Sequence, residues 1–102
     1  MKYEKIYVIE SSQHDLSALK EHTGDIRYLV SAYDDPSTWI AKITENIKEF
    51  DPKTDAIVPV GKLIPTLIVG MALQGHAVTV GVFHDKEYHF MQIDLGGSDA
   101  PN

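Results

Sequence analysis

The stretch from Asp55 to Leu73 constrains the fold more than any other part of the chain. Within residues 55–60, Ala56, Ile57, Val58 and Val60 form a near-continuous apolar run, as suits a strand covered on both faces. Gly61 and Lys62 end that run. Residues 63–73 are then apolar on almost every side, long enough for about three turns of helix, with Pro65 tolerable only near the first turn. Gly75 closes the helix. A buried strand followed directly by a helix is the repeating unit of a parallel α/β sheet. A helix this apolar lies either at the centre of a domain or at a subunit contact.

The flanking segments repeat the alternation. Residues 6–9 (Ile-Tyr-Val-Ile) read as a first strand, followed by a polar loop and a short helix from Leu16 through Leu19 and Lys20. Ser12 or Asp15 is placed to cap that helix and Gly24 to end it. Residues 26–30 read as a second strand. Asp34 or Asp35 then caps a second helix with Pro36 in its first turn. Trp39, Ile40, Ile43, Ile47 and Phe50 recur at helical spacing, opposite Lys42, Glu45, Asn46 and Glu49. Asp51-Pro52 stops it. Residues 77–83 form a fourth strand, His84 to Glu87 a turn, and residues 88–95 a fifth strand that alternates in steps of two, so the pair predicts an antiparallel edge hairpin.

The resulting order, β-α-β-α-β-α-β-β, predicts an α/β, Rossmann-like three-layer sandwich with a mostly parallel sheet and an antiparallel C-terminal hairpin. The 102 residues suit one domain over residues 1–95, with a flexible tail at 96–102. No cysteine is present, which removes disulfides and thiolate chemistry. Residues 1–5 carry no apolar signal core, and the apolar stretch 56–73 is too short and too broken by Pro and Gly to span a bilayer. These features give a cytoplasmic expectation with no membrane partner. A net charge of −6 argues against binding duplex nucleic acid over a broad face. It leaves room for a small anion held by backbone N–H groups. The small size and the apolar third helix predict a homodimer.

Ligands of open α/β sheets bind beyond the carboxyl ends of the strands, which nominates four loops. The loop after the first strand offers Ser11, Ser12, Gln13 and His14, whose hydroxyl, amide and imidazole groups suit ribose, phosphate or proton transfer. It reads equally well as a capping turn with a solvated histidine. Tyr33, in the loop from Ser31 to Asp34, is positioned to stack on a base, whereas Trp39 reads as core. Gly61-Lys62 makes a minimal phosphate cradle, or else a plain strand–helix turn with an exposed lysine; the P-loop spacing and Gly-x-Gly-x-x-Gly are both absent. The fourth loop begins at His84. His14, His22, His76, His84 and His89 have no metal-site spacing, so neither a metal nor another cofactor is expected, and no catalytic set is identified.

The run Asp51-Pro52-Lys53-Thr54-Asp55-Ala56-Ile57-Val58-Pro59-Val60-Gly61 and the segment His14-Asp15-Leu16-Ser17 resemble small uncharacterised α/β proteins of tailed phages. More distantly, the loop with Ser11 and Ser12, the turn and helix with Gly61 and Thr66, and the final hairpin resemble the small CARF-like and ring-nuclease accessory proteins of type III CRISPR systems. That resemblance implies a Rossmann-like fold, binding of cyclic oligoadenylates and, in some members, their cleavage. Thr66 thereby joins the ligand-binding candidates. Taken together, these readings give three expectations: a phage-encoded sponge for a cyclic-oligonucleotide immune signal, a ring-nuclease-type phosphodiesterase using His14 or Lys62, or an acidic inhibitor that binds a protein partner.

Overall fold

A computed structural model describes residues 2–11 and 16–94. Lys5–Ser11 form β1, buried from Ile6 to Glu10. Its side chains alternate between two layers: Tyr7 and Ile9 enter one core, Ile6 and Val8 the other. A short 3-10 helix, Ser17–Glu21, leads to β2, Ile26–Ser31. A 3-10 turn at Pro36–Thr38 continues into α1, Trp39–Asn46. β3 is Asp55–Val58, α2 is Leu63–Ala72, β4 is Ala77–His84 and β5 is Glu87–Asp94.

The five strands form one mixed sheet in the order β2-β1-β3-β4-β5. β1 pairs in parallel with β2 (Ile6 with Ile26, Ser11 with Ser31) and with β3 (Tyr7 with Ile57). β3 pairs in parallel with β4, and β4 with β5 antiparallel. β3, whose apolar run suits a strand covered on both faces, is the central strand of the sheet. β1 connects leftward to β2, while the later crossovers run rightward. Right-handed crossovers then fall on opposite faces. α1 and α2 contact each other and cover Tyr7, Ile9, Leu29, Ile57 and Val78. The 3-10 helix covers Ile6, Val8, Ala56 and Val58 through Leu16 and Leu19. Phe90 closes that second face by lying over Gly81, where a Cβ would meet its ring at 2.5 Å.

Several boundaries differ from the sequence expectation for physical reasons. The first helix is a 3-10 turn closed by Leu19 N–H to Leu16 O and His22 N–H to Leu19 O, with Leu16 and Leu19 buried and Ala18 packed beside them. Its proposed caps, Ser12 and Asp15, lie outside the described residues, as does the tail at 96–102. Asp35 caps the 3-10 turn that leads into the second helix, accepting from Ser37 N–H at 2.9 Å, and α1 ends at Asn46, before the expected stop at Asp51-Pro52. Its buried stripe is Trp39, Ile43 and Ile47, and Ile40, one step round the helix, is exposed. Strand three ends at Val58 because Pro59 has no N–H to continue the ladder. Leu67 is not a core residue: α2 turns Pro65 and Val69 inward and leaves Leu67 half exposed. Asp85 and Lys86 both have positive φ, at 54° and 70°, which is the two-residue turn that matches the twist of a hairpin.

Candidate functional site at the carboxyl end of the sheet

Glu10 stands one residue before the end of β1 and is only 4% exposed. A buried carboxylate requires matched donors, and both come from Lys62. The Lys62 backbone N–H donates to Oε1 at 2.7 Å and its ammonium to Oε2 at 2.7 Å. Lys62 is the N-cap of α2, so Glu10 places a carboxylate where the helix dipole favours negative charge. Burial pushes the Glu10 carboxyl up. The two hydrogen bonds and the charge of Lys62 outweigh burial and hold it below its ordinary value of 4.5.

Gly61 makes this contact possible. Its φ is +146°, and a Cβ there would lie 2.6 Å from the Glu10 Cβ. The close approach that Gly61 permits is thus to the chain's own Glu10. The Lys62 ammonium also donates to Ala32 O at 3.3 Å, tying the loop after β2 to the turn after β3. An ammonium has three donors; no third partner for it is found among the described residues, and the side chain is 52% exposed. Thr66 lies one turn into α2 and donates its hydroxyl to Lys62 O at 2.9 Å.

Ser11 ends β1 in register with Ser31, and the Ser11 carbonyl accepts from Ala32 N–H at 3.2 Å. Ser12, Gln13 and His14 lie outside the described residues. Tyr33 is 89% exposed in the loop after β2, its N–H bonded to Ser31 Oγ. Ser11 and Ser31 also border a groove of about 570 Å³ between β2 and α1, lined further by Tyr28, Asp34, Lys42 and Asn46. That volume is in the range of small-molecule sites. Asp34 accepts from the Lys42 ammonium at 2.6 Å and from Ser31 N–H at 2.7 Å; these bonds hold its carboxyl below the ordinary 3.8. Asn46 donates to Leu29 O at 2.9 Å, satisfying a carbonyl of the edge strand β2.

The structure therefore brings together Ser11, Gly61 and Lys62 with the loop that carries Tyr33. They meet beyond β1 and β3, the adjacent strands from which the chain crosses to opposite faces. This is the topological switch point of the sheet. Sequence reasoning missed Glu10, which bounded an apolar run as surface charges do, and Lys42 and Asn46, which it assigned to a solvent face. Among the described residues no group of three or more His, Asp or Glu side chains is arranged to hold a metal ion, and no helix is long and apolar enough to cross a membrane. No protein-family model, curated protein or solved structure matches the chain.

Proposed function

We propose that this chain binds a small anionic nucleotide of the cyclic-oligonucleotide class at the carboxyl end of its sheet and sequesters it uncleaved, as a phage-encoded sponge. The observation that carries this reading is the Lys62 ammonium at the β1–β3 switch point, half exposed and bonded to Glu10 and Ala32 O. Its third donor, without a partner among the described residues, suits a phosphate oxygen. The paired Ser11 and Ser31 offer hydroxyls of the type that hold ribose or base edges, and Tyr33 offers an exposed ring for stacking. The reading takes the sheet and its covering helices as a Rossmann-like sandwich, and it rests also on the family resemblances of the sequence.

Sequestration needs affinity and abundance but no acid, base or nucleophile. Glu10 and Ala32 O already engage two donors of Lys62, which fits holding a ligand better than transferring its protons. The test is a thermal-shift series with cyclic di-, tri- and tetranucleotides, followed by chromatography of the recovered ligand. Ligand at 100-fold over Kd stabilises by about 2.7 kcal/mol, which raises Tm by roughly 10 °C or more in a domain of this size. Recovery of intact ligand supports the sponge. Turnover would instead make the chain a ring-nuclease-type phosphodiesterase. Absence of any shift with all three ligand classes would overturn nucleotide binding and point to the acidic surface as a protein-binding face.

A further inference from the structure

Among the described residues, the helix-bearing face of the sheet is only partly covered. Two helices packed side by side at about 8–10 Å span roughly four strands spaced ~4.8 Å apart, and this sheet has five. The uncovered part lies over the β4–β5 hairpin. Val78 and Val80 pack with Val69, Leu73 and Ile68 beside α2. Their cross-strand partners are Ile93 and Met91, which are exposed, as is Val82 further along β4. The outer side of α2 continues the same surface with Leu63, Ile64, Leu67 and Met71.

These seven side chains are 37–74% exposed. They present roughly 500–700 Å² of apolar surface, against ~300–600 Å² for the largest patch of an ordinary monomer. That is most of the ~800 Å² each partner contributes to a standard stable interface.

Charge indicates what covers this surface. The chain carries 9 basic and 15 acidic side chains, yet none of them falls between Leu63 and Phe83. Two copies, each of net charge −6, repel one another through their other faces. The α2 and β4 part of this face is where they meet with least repulsion, Glu87 and His89 lying on the β5 side toward the turn. Its apolar side chains can meet their own copies across a two-fold axis, as an isologous interface requires. On α2, Ile64, Leu67 and Met71 follow at steps of three and four, and a Cβ at Gly70 would meet nothing within 4 Å, so the helix surface is open to a second helix.

We infer that the outer face of α2 and the adjoining face of the β4–β5 hairpin form a two-fold interface with a second copy of this chain. The test is the mass of the full chain in solution, by light scattering and sedimentation equilibrium, at about 100 µM, where a micromolar interface is mostly associated. The expected mass is twice the 11.4 kDa of one chain. Leu67→Glu and Met71→Lys, both at exposed positions, should each give a monomer with unchanged circular dichroism. A monomeric parent chain at 100 µM overturns the proposal. So does a dimer that survives both substitutions, since its interface then lies elsewhere. A monomer that partitions onto phosphatidylcholine vesicles through this face also overturns it, giving the surface to lipid.

Discussion

Removing the Lys62 ammonium should destabilise the fold even though the side chain is half exposed. Lys62→Met keeps the stem and the backbone N–H bond to Glu10 and deletes one charge-assisted bond of 2.7 Å. A hydrogen bond to a charged group contributes about 1.5–3 kcal/mol, and stranding a buried charge costs about 3–5 kcal/mol. Two facts place this case near the lower end. Solvent screens the half-exposed lysine, and Glu10 retains its backbone donor. The expected loss is therefore about 1–2 kcal/mol at pH 7, with a coupling of similar size in a cycle with Glu10→Gln. Urea unfolding followed by circular dichroism reads it as a midpoint shift of ~1 M or more, given a slope of about 1 kcal/mol/M.

The pH dependence separates this pair from generic surface effects. The carboxyl of Glu10 is held below its ordinary value of 4.5 in the folded chain. The unfolded chain therefore binds the proton first as pH falls. The pair's contribution is fully present above the unfolded value and is lost as pH drops through the folded value. Below the folded value the coupling should approach zero, and Glu10→Gln should lack this component of acid sensitivity. A coupling below ~0.5 kcal/mol at pH 7, or one that does not diminish as pH falls below the ordinary carboxylate value, would refute the reasoning.

Two further outcomes follow from burial. Ile43→Ala should cost ~2–5 kcal/mol, since Ile43 is fully buried on the inner face of α1, whereas Leu67→Ala at low micromolar concentration should stay within ~0.5 kcal/mol; equal losses in urea unfolding would contradict the placement of α2. Tyr7 is buried and its hydroxyl has no hydrogen-bond partner among the described residues, so Tyr7→Phe should be neutral or stabilising by up to about 1 kcal/mol. A fall in Tm of several degrees would show that this hydroxyl is satisfied in solution.

Elements whose side chains repeat at one period were legible from the sequence. The run from Ala56 to Val58, the helix after it and the alternation of β5 announce their structure because burial imposes the pattern directly. The 3-10 helix at Ser17–Glu21 was less legible, since two leucines fit an α-turn and a 3-10 turn equally well. Ile40 and Ile43 both fit a broad apolar stripe, and only the packing of α1 against α2 and the sheet decides which faces inward. The Asp85-Lys86 turn lacks the Gly or Asn that usually marks two positive φ angles, so the segment announced a turn but not its type.

Glu10 was hidden for a different reason. Its partner lies 52 residues away, and no local pattern joins them. They become neighbours only because β1 and β3 are adjacent, a consequence of the crossover order rather than of either segment. Once that order is known, the Gly61-Lys62 turn changes meaning. An anion already sits at the amino end of α2, and it belongs to the chain. A ligand phosphate on the same side would face Glu10 at close range, where two like charges ~4 Å apart repel by about 4 kcal/mol near a protein surface. Under the proposed function, phosphate must therefore approach Lys62 from the side away from Glu10. Successive strand residues point to opposite faces, so Ser11 points away from Glu10, toward the groove where the Asp34 carboxylate is paired with Lys42. The buried glutamate thereby holds Lys62 in place and, under the proposed function, restricts the direction from which an anion can use it.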